Sequence, residues 1–101
     1  MKCKIKTKDD STVCTLQGKI GTKEADEFAA KYLPQLIDNA GGTILFKCED
    51  LEFISSSWLR KLLTLAKNVA DKGGKVTLSG IRPELREVLD VTGFTTIVEI
   101  V

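Results

Sequence analysis

The stretch Phe53-Ile54-Ser55-Ser56-Ser57-Trp58-Leu59-Arg60 sets three hydroxyls where an extended segment gives way to an amphipathic helix. Before it, Thr43-Ile44-Leu45-Phe46-Lys47-Cys48 is β-branched and aromatic and is introduced by Gly41-Gly42, the pattern of a buried strand. After it, Leu59, Leu62, Leu63, Ala66 and Ala70 recur at helical spacing, with Lys61, Lys67 and Asp71 on other faces. The change of period predicts a helix beginning near Ser56 or Ser57. A serine at such a junction caps the helix by accepting an orphan N–H of the first turn. The same place favours an anion, because free N–H groups and the positive end of the helix dipole meet there. A serine cluster here thus has two readings, a plain cap or a site for attached phosphate.

Working outward, Lys2, Lys4, Lys6 and Lys8 alternate with Cys3, Ile5 and Thr7, a strand with one lysine-studded face. Asp9-Asp10-Ser11 turns the chain, and residues 12–20 return as the second strand of a hairpin. Thr22 is the expected N-cap of a helix from about Lys23, with Ala25, Phe28, Ala29, Tyr32, Leu33, Leu36 and Ile37 as its buried stripe. Pro34 lies inside that stripe, which predicts a kink or a stop and restart. Asn39-Ala40-Gly41-Gly42 ends the helix. Glu49-Asp50-Leu51-Glu52 reads as a short acidic loop ahead of the serines.

Beyond the serine helix, which runs to about Asp71, Lys75 to Ser79 forms a strand. Pro83 opens a short helix with Leu85, Val88 and Leu89 as its apolar side, and Gly93 stops it. Residues 95–101 are the expected last strand. The order β-β-α-β-α-β-α-β predicts one α/β domain over residues 1–101, a mixed sheet of about five strands packed against helices.

Composition narrows the chemistry. Fifteen basic and 14 acidic residues leave a net charge of +1, which gives no case for a nucleic-acid surface. No apolar run of about 18 residues is present, so membrane insertion is not expected, nor is a signal peptide. Cys3, Cys14 and Cys48 are odd in number and lack zinc spacing, as expected of reduced thiols in a cytoplasmic protein without metal or other cofactor. The hairpin makes Cys3 and Cys14 the one conceivable pair. The chain has no histidine, which removes histidine-based general-base catalysis and argues against an enzyme.

Gly18-Lys19-Ile20, Asp50 to Arg60, Gly73-Gly74 and Leu89-Asp90-Val91-Thr92-Gly93-Phe94 together resemble, in order and spacing, the STAS domains of bacterial anti-sigma factor antagonists. The resemblance covers essentially the whole chain. It implies a protein that binds an anti-sigma factor, often also a serine kinase of the ATP-binding histidine-kinase-like type, and so frees a sigma factor. Phosphorylation of a motif serine breaks the complex, and a serine phosphatase restores it. Aligned without a gap, the phosphoacceptor falls on Ser56, with Ser57 and Ser55 as alternatives. The partner-facing residues would be Ser55, Ser56, Ser57, Trp58, Gly21 and Thr22. Two positions depart from the family pattern. Trp58 stands where Gly is usual, and its indole would crowd a kinase active site, alter the loop backbone, serve as a binding anchor, or only close the edge of the core. Gly21 stands where many members carry Asp. The alternative functions are a STAS module docked constitutively on another protein, such as a transporter ATPase, and a sensor of a small ligand.

Overall fold

The computed structural model describes residues 1–39 and 41–101, so Ala40, assigned above to a helix end, lies outside the described residues. Strands β1 (Lys2–Lys8) and β2 (Ser11–Ile20) form the expected antiparallel hairpin, with Ile5 opposite Cys14 and Lys8 opposite Ser11. Strands β3 (Thr43–Ile54), β4 (Lys75–Ser79) and β5 (Glu99–Ile100) then add in parallel, giving one mixed sheet in the order β1-β2-β3-β4-β5. Parallel neighbours that follow one another in the chain need crossovers of one hand, which lay their helices on the same face. Burial agrees: Thr12, Cys14 and Leu16 of β2 are buried, whereas the alternate residues Val13, Thr15 and Gln17 are only partly covered. The result is a two-layer domain with its core between sheet and helices.

Pro34 acts as its chemistry requires. Helix α1 (Thr22–Lys31) stops, and α2 (Leu33–Asp38) restarts with the proline in its first turn, where a missing N–H costs nothing. The cap of α1 differs from expectation by one residue. Gly21, not Thr22, is the N-cap, and the Glu24 carboxylate accepts from the Gly21 N–H at 3.1 Å. Glycine has no hydroxyl to offer, so the third residue of the helix satisfies the entry instead. Where the hairpin meets β3, the Thr43 N–H donates to the Asp10 carbonyl at 2.8 Å, and a Cβ on Gly42 would strike that carbonyl.

Helix α3 (Ser56–Asp71) buries Trp58, Leu62, Leu65 and Val69 along one line, with Leu59 and Ala66 beside it. This stripe is rotated from the expected one: Leu63 is only partly covered and Ala70 is exposed. Helix α4 (Pro83–Val91) buries Leu85 and Leu89, but Val88, assigned to the apolar side, is 41% exposed.

Two segments depart from the sequence reading more widely. Glu49 to Glu52 is not a loop; β3 continues through it to Ile54. Against β2 the register slips twice, between Thr15 and Gln17 and between Gly18 and Lys19, so β3 carries two extra residues. Each bulge breaks the alternation of faces, and Cys48, Leu51 and Ile54 all point inward while Glu49, Asp50 and Glu52 are exposed. The final strand is likewise shorter than residues 95–101. Gly93 takes φ +80°, a left-handed stop for α4, and a 3-10 turn (Phe94–Thr96) precedes β5. Its geometry swings Phe94 into the core, where it is 6% exposed. Among the described residues, no helix is long and apolar enough to cross a membrane.

Candidate functional site at the start of helix α3

The candidate site lies where two parallel strands deliver their chain to two helix starts. β2 ends at Ile20 and leads through Gly21 into α1; β3 ends at Ile54 and leads through Ser55 into α3. The Ser55 N–H donates to the Ile20 carbonyl at 2.8 Å, which joins the two exits. Ion pairing of Lys61 with Asp26 at 3.2 Å ties α3 to α1 a turn further along. Such a rim, at the carboxyl ends of parallel strands, is where open α/β sheets present their sites.

The three serines have different duties. Ser55 is the N-cap, in extended conformation, and its Oγ accepts from the Trp58 N–H at 3.3 Å. Its carbonyl accepts from the Leu59 N–H at 3.1 Å. Its hydroxyl is therefore engaged in holding the helix start. Ser56 is the first residue of α3 and is exposed, while Ser57 is half-buried. Ser56 thus combines an accessible hydroxyl with the electropositive end of a helix of 16 residues.

Trp58, placed above among the partner-facing residues, is 1% exposed. Its ring meets Phe28 and Phe46 edge-on, with centroids 6.3 and 6.2 Å away. The reason is helical phase, since Trp58 heads the line continued by Leu62, Leu65 and Val69. Its Nε1 is buried and has no hydrogen-bond partner among the described residues. The indole replaces the usual Gly by packing inward, and it offers a partner no surface. Gly21 is half-buried and Thr22 exposed at the adjoining helix start.

One part of the site was not assigned from sequence. Ser56, Leu59, Arg60 and Leu63 form one wall of a groove of about 240 Å³, and Thr92 and Phe94 form the other. Thr92 is anchored there by its hydroxyl, which donates to the Val88 carbonyl at 2.9 Å. The Thr92-Gly93-Phe94 segment was visible as a helix stop, but its position opposite Ser56 depends on the crossover through β4 and α4. Arg60 sits one turn beyond Ser56 on the exposed side of α3. The groove therefore brings an apolar lining, a hydroxyl and a guanidinium together. Among the described residues, no group of three or more Cys, Asp or Glu gathers as a metal site.

The STAS domain model matches residues 2–101. The chain belongs to the STAS domain family. Among curated relatives, BtrV of Bordetella bronchiseptica, which bears the name of an anti-sigma factor antagonist, is 29% identical over 96% of this chain and 83% of its own. The STAS fold here is similar to that of the anti-sigma factor antagonist SpoIIAA in its unphosphorylated form, with a TM-score of 0.78 at 20% identity over 99% of this chain and 87% of the other. Phosphorylated SpoIIAA from Bacillus superposes with a TM-score of 0.76 at 20% identity, over 99% and 91% of the two chains. The Thermotoga maritima protein TM1081 gives 0.80 at 20% identity over 97% and 84%. This STAS domain therefore has the fold of anti-sigma factor antagonists along nearly its whole length.

Proposed function

We propose that this protein is an anti-sigma factor antagonist whose binding is switched by phosphorylation of Ser56. The observation that carries the reading is the placement of Ser56: exposed, first in α3, and on the lip of the groove walled by Thr92 and Phe94. An anti-sigma factor docks on this rim, over Ser56, Ser57, Gly21, Thr22 and the groove, and its sigma factor is set free. The partner, a serine kinase of the ATP-binding histidine-kinase-like type, supplies nucleotide, magnesium and catalytic base. This chain acts as binder and substrate in the cytoplasm, not as an enzyme, and a serine phosphatase resets it.

Phosphate on Ser56 adds about −1.5 to −2 charges where dipole and free N–H groups accept them, so the fold is kept. The effect falls on the contact surface, as repulsion and bulk against the docked partner. The test is incubation with the cognate kinase and ATP, followed by intact mass and peptide mapping. One phosphate on Ser56, absent from Ser56→Ala, supports the switch. Unmodified protein that still binds its partner supports the constitutive docking module instead. Gly21 favours that second reading, since it lacks the carboxylate that many members of the family hold near the acceptor.

A further inference from the structure

The two thiols of the hairpin are in contact. Cys3 and Cys14 are diagonal neighbours on β1 and β2, Cys3 lying opposite Leu16 and Cys14 opposite Ile5. Both are free, and their Sγ atoms are 3.3 Å apart. A disulfide holds its sulfurs at about 2.05 Å, so closure brings them roughly 1.2 Å nearer than the observed 3.3 Å, and because diagonal strand neighbours stand about 7–8 Å apart it also asks the two strands to draw together locally. The pair is also asymmetric in access. Cys14 is fully buried, whereas Cys3 is partly exposed and lines an opening of about 140 Å³ with Met1, Glu27, Phe28, Lys31 and Tyr32. One cysteine borders the opening and the other lies buried behind it.

We propose that Cys3 and Cys14 form a reversible thiol–disulfide site that takes a hydroperoxide as its oxidant and closes the β1–β2 hairpin covalently. Cys3, as thiolate, attacks the terminal peroxide oxygen. An S–O bond forms, the O–O bond breaks, and the alkoxide or hydroxide leaves with the proton released by Cys3. Cys14 then attacks the sulfur of the resulting sulfenic acid. The S–S bond forms as the S–O bond breaks, and the departing hydroxide takes the Cys14 proton as water. Two thiols and one hydroperoxide thus give a disulfide, one alcohol or water from the peroxide, and one further water. A dithiol reductant reverses the change.

The electrostatics of the pair agree with these roles. The contact with Cys14 and the nearby Lys31 ammonium hold the Cys3 thiol below its ordinary range against the opposing effect of burial. Cys14 is pushed far up by the same contact and by its own burial, so it keeps its proton until Cys3 has been oxidised. Cys48, buried on β3, donates to the Phe46 carbonyl at 3.6 Å and serves as an internal reference thiol.

The test treats the reduced full-length chain with a few equivalents of hydrogen peroxide, then denatures it in N-ethylmaleimide. The expected product has lost two hydrogens, takes one maleimide on Cys48, and maps as a Cys3–Cys14 linked peptide pair. Dithiothreitol restores three maleimides. In Cys14→Ala the same treatment leaves a dimedone-reactive sulfenic acid on Cys3; in Cys3→Ala, where a partly exposed side chain is changed, both remaining thiols stay alkylable. Three maleimides on peroxide-treated wild type would overturn the proposal. So would added oxygens on Cys3 with Cys14 still alkylable, or a linkage through Cys48 or between two copies of the chain.

Discussion

The Ser55 N–H is bonded to the Ile20 carbonyl, so the loop that carries the serines is fastened to the end of β2 instead of hanging free. The Ser56 hydroxyl next to it is presented on a fixed frame, and on the proposed function charge added there would act on a docked partner. Ser56→Asp should weaken partner binding by roughly tenfold or more while the melting temperature barely moves, because an acidic first-turn residue suits the helix dipole. Titration calorimetry beside a thermal melt checks both halves. A large drop in Tm with unchanged affinity would mean that the carboxylate disturbs the fold and not the interface.

Ser55→Ala tests the division of labour among the serines. Its hydroxyl caps α3 through the Trp58 N–H, and loss of such a cap costs about 1 kcal/mol. For a domain of this size the Tm should fall by roughly 4–8 °C. If Ser56 is the acceptor, as proposed, phosphorylation stoichiometry should stay at one. A Ser55→Ala protein that accepts no phosphate would transfer the acceptor role to Ser55.

Restoring the usual glycine at Trp58 should not improve the switch. Trp58→Gly removes a core indole packed on Phe28 and Phe46, a change of the kind that costs about 3–5 kcal/mol, with a further ~1 kcal/mol for glycine in a helix. The Tm should fall by more than about 10 °C. Trp58→Phe should lose much less, because it keeps an aromatic ring and deletes a buried N–H that has no partner among the described residues. Equal Tm values for Trp58→Gly and wild type would contradict the burial of this residue.

Arg60 is exposed on the lip of the groove, one turn from Ser56. Arg60→Glu should slow partner association at low salt, leave the folding stability within about 0.5 kcal/mol of wild type, and lose its effect as ionic strength rises. Stopped-flow or surface-binding kinetics over a salt series give the answer. Association rates that match wild type at every salt concentration would place Arg60 outside the interface.

Burial, with a smaller contribution from Glu49, pushes the Cys48 thiol up to about 12. Its unfolded counterpart titrates near 8.5, so the folded chain holds this proton more tightly. The stability linked to Cys48 is therefore fully present below about pH 8.5 and is lost as pH rises toward 12. Urea midpoints between pH 8 and pH 10.5 should fall more steeply in wild type than in Cys48→Ala. Parallel curves for the two proteins would show that this thiol does not contribute.

The serine junction was legible because the change from strand to helix period falls on residues with clear alternatives, Phe53 and Ile54 before it and Leu59 and Leu62 after it. Trp58 was not decidable locally. A residue in the first turn fits two adjoining stripes, and only Leu65 and Val69, more than a turn away, fix the phase that buries it. The Glu49–Glu52 segment was misread for the opposite reason: the strand is real, but its bulges destroy the alternation by which strands are recognised. The wall made by Thr92 and Phe94 belongs to tertiary structure alone. Its motif could be seen, but not what it would face.

Those two bulges also make β3 a height gauge. Over the span it shares with β2, β3 uses two more residues, and each strand residue spans about 3.3 Å of chain. The slack taken up between Lys47 and Phe53 decides how far above the sheet's rim the chain emerges and at what rotation α3 sets out. Deleting one residue there would draw Ser56 down toward the rim and turn its hydroxyl away from the groove, with every side chain of the site still present. The length of this one segment, and not only the identity of the serine, thus sets the depth from which the hydroxyl is offered at the rim.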